Sequence, residues 1–80
     1  MYDLKQTHEI LADATILIMD GISYRILLVP SYDECMDGEN IFLEEEEYGD
    51  DVAIILSEVD LNNPEVHVYK LVLANPIKSN

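Results

Sequence analysis

The sequence predicts an α+β domain, a short N-terminal helix packed on an antiparallel meander sheet of about five strands. Two observations lead there. Apolar residues at helical spacing occur only in the first dozen positions, whereas from Thr15 onward short β-branched and apolar runs alternate with Gly-, Pro- and Asn-containing turns. The loops between these runs are short, as a meander requires. Eighty residues make a single domain, divided as helix 1–13, sheet 14–73 and tail 74–80.

Asp3 is a fitting N-cap, and Leu4, Thr7/His8 and Leu11 share one face of a helix running to Ala12. Thr15–Met19 reads as the first strand. Asp20-Gly21 follows, a pair suited to a two-residue hairpin because glycine accepts positive φ. In the second strand Ile22, Tyr24, Ile26 and Leu28 alternate onto one face, with Ser23, Arg25, Leu27 and Val29 on the other. Pro30 ends it. Ser31–Gly38 is expected to be a polar loop, Glu39–Glu45 a third strand and Val52–Val59 a fourth, after a turn at Tyr48-Gly49-Asp50. Asp60–Pro64 is a turn cluster, and Glu65–Leu73 is the last strand. Several strands are apolar on both faces, so the helix is expected to cover one face and a second copy of the chain is a candidate cover for the other.

Hydrophobic residues make up 49% of the chain, which argues against charge-driven disorder. The apolar runs Ala14–Met19 and Ile26–Val29 are far too short to span a bilayer. The N-terminal residues carry no basic segment leading into an apolar stretch, and a lone Cys35 forms no internal disulfide, so a cytoplasmic location is expected.

Charge dominates the rest of the reading. There are 17 acidic residues against four basic ones, a net charge of −13. Between Arg25 and Lys70 there is no Lys or Arg, yet 13 of the 17 carboxylates lie in that window and ten of them between Asp33 and Asp51. Such a surface repels nucleic acid and anionic lipid and attracts basic proteins. The candidate partner-binding residues are therefore Asp33, Glu34, Asp37, Glu39, Glu44, Glu45, Glu46, Glu47, Asp50 and Asp51. Tyr32 and Tyr48 join them, because aromatics beside carboxylates suit arginine, which stacks on the ring and pairs with the acid.

Other chemistries find little support. Asp33–Glu44 offers carboxylates at positions 1, 5, 7 and 12 of a calcium loop with Gly38 at position 6, but Cys35 stands where an oxygen ligand belongs and the flanks read as strands. His8, His67 and Cys35 are too dispersed for zinc. No nucleophile elbow, phosphate-cradling loop or metal-binding helix motif is present, so no catalytic residue and no cofactor is expected.

Ile26-Leu27-Leu28-Val29, running through Tyr32-Asp33-Glu34 to Asp37, Glu39-Asn40 and an apolar strand, resembles the second half of the phage uracil-DNA glycosylase inhibitors, as does the later pair Glu47-Tyr48. Anti-CRISPR and anti-restriction proteins are similar at this level. The resemblance implies a small acidic DNA mimic that blocks a nucleic-acid-binding protein. Two functions follow as expectations: such an inhibitor, with a basic nucleic-acid-binding protein as its partner, or a structural or regulatory interaction module, homodimeric in one version, whose charge serves solubility.

Overall fold

Asp3 caps the first helix as its side chain allows. In α1 (Leu4–Ala12), Asp3 Oδ1 accepts the Gln6 N–H at 2.8 Å, while Gln6 Oε1 accepts the Asp3 N–H at 3.0 Å. This reciprocal pair satisfies two backbone donors that a helix start leaves free. Thr7 and Leu11 are the buried residues of α1, the face expected from their spacing. The computed structural model describes residues 1–71.

The sheet has five strands: β1 (Ile16–Met19), β2 (Ile22–Leu28), β3 (Ile41–Glu45), β4 (Asp51–Ile54) and β5 (His67–Tyr69). All neighbouring pairs are antiparallel, in the order β4-β3-β2-β1-β5. The first four strands form a meander, and β5 returns to the free edge of β1. Asp20 and Gly21 make the β1–β2 turn at φ 55° and 75°, the double positive φ that this hairpin demands.

One face of the sheet, the inner face, is covered. Leu17, Leu43, Ile41 and Ile54 project from it and pack with Leu11 of α1, Cys35, Leu56 and Val59. The segment joining β4 to β5 runs along the same side, where Leu61 and Val66 pack against this core. Asn62 ties that segment to the N-terminus through two hydrogen bonds with the Tyr2 backbone, at 2.8 and 3.0 Å.

Four expected elements are corrected. Ser31–Gly38 is not a loop: it holds a second helix, α2 (Tyr32–Met36), capped by Ser31 and Glu34 in the same reciprocal manner as α1. The third strand begins at Ile41 rather than Glu39, because Gly38 (φ 94°) and the α2 C-terminus occupy the chain up to that point. The fourth strand stops at Ile54, and the chain makes a 3-10 turn at Leu56–Glu58, where Glu58 Oε1 accepts the Ile55 N–H at 3.0 Å. The last strand is only His67–Tyr69. Val72 and Leu73, expected in that strand, and the tail 74–80 lie outside the described residues.

The alternation of β2 is also corrected. Ile26 pairs with Leu43 but Leu28 pairs with Phe42, so Leu27 is an extra residue in a β-bulge. Leu27 points outward by alternation from Ile26, and Leu28 points outward because its partner Phe42 does. Two consecutive leucines therefore share the outer face, and Val29 turns inward to pack on the core. A one-residue slip exchanges faces for everything beyond it.

Candidate functional site

The carboxylates that form one run in sequence form two poles in space. Antiparallel pairing of β2 with β3 places the β1–β2 and β3–β4 turns at one end of the sheet. Glu44 and Glu45 end β3, Glu46 and Glu47 enter its turn, and Asp50 and Asp51 lead into β4. Asp20, in the β1–β2 turn, joins them. Sequence reasoning missed Asp20, since only strand pairing brings it close; the available signal was its position in a hairpin whose second strand pairs with β3. A cleft of about 350 Å³ between the two turns is lined by Gly21, Ile22, Ser23, Glu45, Glu46 and Glu47. The second pole, with Asp33, Glu34, Asp37 and Glu39, lies on and after α2 at the opposite end of β3. The four residue steps from Ile41 to Glu45 span about 13 Å.

Within the first pole the backbone holds the acids in defined places. Glu44 faces Asp51 directly across the β3–β4 ladder, on the outer face, where like charges destabilise. Arg25, opposite Glu44 on its other side, offers a guanidinium 3.7 Å from Glu44 Oε1. That contact is exposed and weak. Glu46 Oε1 accepts the Ser23 hydroxyl at 2.7 Å, and Glu45 Oε1 accepts the Tyr48 N–H at 3.2 Å, which fixes the turn. Asp51→Asn should raise stability by a few tenths of a kcal/mol at low ionic strength. The gain should fade in molar salt, where the Debye length is about 3 Å; urea titrations at both salt levels measure it.

The second pole carries two shifted groups. Hydrogen bonds to Ser31, first from its backbone N–H and then involving its side chain, hold the Glu34 carboxyl below its ordinary value of 4.5. A lowered folded-state value means that Glu34 favours the folded state above 4.5 and loses that contribution as pH falls through the lowered value. Ser31→Ala keeps the backbone N–H, the larger cause, and should raise the Glu34 value only part of the way back in an NMR titration. Burial first, and then the negative charges of Glu34 and Glu39, push the Cys35 thiol above its usual range. Cys35 is buried in the core and its Sγ lies 3.7 Å from the Pro30 carbonyl. A neutral, covered thiol is a poor nucleophile. Alkylation by iodoacetamide at pH 8 should be slow in the native protein and should reach the rate of a free thiol only after denaturation.

The two aromatic candidates part company. Tyr48 is 73% exposed in the turn of the first pole, open to a partner. Tyr32 is half-buried in α2, edge-on to His8 with ring centroids 5.8 Å apart, and the Lys5 ammonium stands 5.9 Å from its centroid. His8 Nε2 donates to the Pro30 carbonyl at 2.7 Å, so this group ties α1 to the β2–α2 connection. His67 lies on the outer face, stacked on Tyr69.

Asp33–Glu44 starts in a helix and ends in a strand, so it does not wrap an ion as a calcium loop does. Among the described residues, no group of three or more His, Cys, Asp or Glu side chains is placed to hold a metal ion. No helix among them is long and apolar enough to cross a membrane.

Leu27 and Leu28 on β2 and Phe42 on β3 are 52%, 54% and 45% exposed, and Ala53 on β4 lies opposite Phe42. No family model matches the chain, and neither a curated protein nor a solved structure shows significant similarity to it.

Proposed function

We propose that the protein is an acidic DNA mimic without chemistry of its own. It acts in the cytoplasm, that of a host cell if it is phage-encoded, occupies the cationic nucleic-acid-binding surface of a host or defence protein, and excludes DNA or RNA by competition. The observation that carries this reading is the gathering of Asp20, Glu44, Glu45, Glu46, Glu47, Asp50 and Asp51 at one end of a hydrogen-bonded sheet, with Arg25 the neighbouring cation. Carboxylates fixed on strands and tight turns present a defined array, as phosphates do on a duplex. Lys and Arg side chains that bind phosphates meet such an array through the same salt-sensitive attraction. The likeness of Ile26–Leu43 to the glycosylase inhibitors favours the same reading, and the single Cys35, a free thiol, suits a reducing compartment.

The test is capture of partners from host lysate on immobilised protein at low salt, with elution by rising salt. A nucleic-acid-binding protein released by salt, and displaced by duplex DNA or RNA, is the expected result. Recovery of partners that nucleic acid does not displace removes the mimicry. The exposed Leu27, Leu28 and Phe42 of the outer face favour one alternative, a homodimeric interaction module whose charge serves solubility. Sedimentation at micromolar concentration separates the two: a stable dimer with no cationic partner supports the module.

A further inference from the structure

We infer that the outer face of the sheet docks a basic amphipathic helix of the partner protein: Leu27, Leu28 and Phe42 receive its apolar stripe, and Glu44 and Asp51 pair with its Lys or Arg side chains. This rests on the acidic-mimic reading and specifies what the partner presents.

The bulge at Leu27 is the first reason. Regular alternation sends one of two adjacent residues to the core; here both leucines face outward beside Phe42. All three stay about half exposed on the face opposite the core that α1 and α2 cover. Clustered apolar exposure of this kind marks interaction surfaces. Shape is the second reason. The row Leu28–Phe42–Ala53 crosses three strands, two spacings of about 4.8 Å, so it is about 10 Å wide. A helix with its side chains is about 10–12 Å across. Ala53, with its small side chain, leaves the β4 end of the row low.

Charge selects the occupant. Two residues further along the same face stand Glu44 and Asp51, about 7 Å from the apolar row. A second copy of this chain would bring another net −13 and repeat those carboxylates. Among the described residues Arg25 is the one Lys or Arg on this face, already beside Glu44. A cationic helix answers the carboxylates, and its apolar stripe answers the leucines. Contact of this kind has two parts with different salt responses, because screening weakens ion pairs and leaves apolar burial in place.

Two synthetic helical peptides of about 18 residues and equal positive charge provide the test. One carries Leu at i, i+3, i+4 and i+7, and the other carries Gln there. Affinities are read by fluorescence anisotropy in about 50 and about 300 mM NaCl. At the higher salt the Leu peptide should bind at least about tenfold more tightly than the Gln peptide, and Phe42→Ala and Leu28→Ser should each remove most of that difference. Both positions are exposed, and amide NMR spectra of the two variants verify the fold. Equal binding of the two peptides, unchanged by Phe42→Ala, overturns the docking surface and leaves charge mimicry standing. Absence of binding by either peptide at the lower salt overturns both. Self-association that Phe42→Asp abolishes assigns the face to a second copy and overturns the proposal.

Discussion

Replacing Glu44, Glu46, Glu47, Asp50 and Asp51 by their amides should slow association with a cationic nucleic-acid-binding partner by about 10- to 1,000-fold at low ionic strength. The five side chains keep their size and much of their hydrogen-bonding capacity, so charge is the variable changed. Glu45 is left in place because its carboxylate holds the Tyr48 N–H and shapes the turn. Removing five of 17 carboxylates from one pole lowers the field there far more than the same number spread over the surface. The comparison protein should carry five amides elsewhere, at Glu9, Asp13, Asp37, Asp60 and Glu65, which leaves the capping carboxylates Asp3 and Glu58 in place. Stopped-flow association rates across a salt series decide the matter. Equal loss in the two variants would mean that net charge, and not the pole, drives encounter. The difference between them should close as salt rises, because exposed charges are screened beyond about 10 Å at 0.1 M.

The second large effect concerns stability. Leu43→Ala should cost about 2–5 kcal/mol and lower Tm by roughly 10–30 °C. Leu43 is fully buried on the inner face of β3, between Ile26 and Val52 in adjacent strands, so truncation leaves a cavity. An 80-residue domain has a total stability of about 4–12 kcal/mol, so the loss is a large share of it. Phe42→Ala, one position earlier, removes a larger side chain, yet should change stability by about 0.5 kcal/mol or less because that side chain faces outward. Thermal denaturation of the pair tests the assignment of faces. Comparable losses at the two positions would contradict it.

Local chemistry was legible in the sequence where the deciding residues are neighbours. Asp20-Gly21 states its turn because both positions need positive φ, which glycine adopts freely and Asp and Asn tolerate better than other residues. Asp3 and the Leu4–Leu11 spacing state α1 for the same reason. The second helix was also written locally, as Ser31 followed three residues later by Glu34, a reciprocal capping pair. Its acidic composition and the nearby Gly38 disguised it as a loop. Val52–Val59 read as one strand because its apolar residues fit an extended chain; the Glu58 side chain reaching back to Ile55 breaks it.

The features that shape the candidate site were less accessible. In Ile26-Leu27-Leu28-Val29 every residue is apolar, so neither register is penalised by placing a polar group in the core, and nothing in the pattern announces the bulge. The acidic window looked continuous because sequence distance is all a sequence supplies. Folding sends its two halves to opposite ends of β3 and draws in Asp20 from an earlier hairpin. Tyr32 looked like a neighbour of acids, while the fold makes it a neighbour of His8 and Lys5.

The separation of the two acidic poles is set by a strand, which makes β3 a ruler. Its graduations are peptide units of about 3.3 Å, and because side chains alternate, the gauge changes only in steps of about 6.7 Å if every residue is to keep its face. The charges themselves sit mainly in turns and a short helix, where substitution costs the core little. A chain of this design can therefore change what it presents at each pole by altering a turn, while the distance between the poles stays fixed until a whole pair of residues enters the sheet.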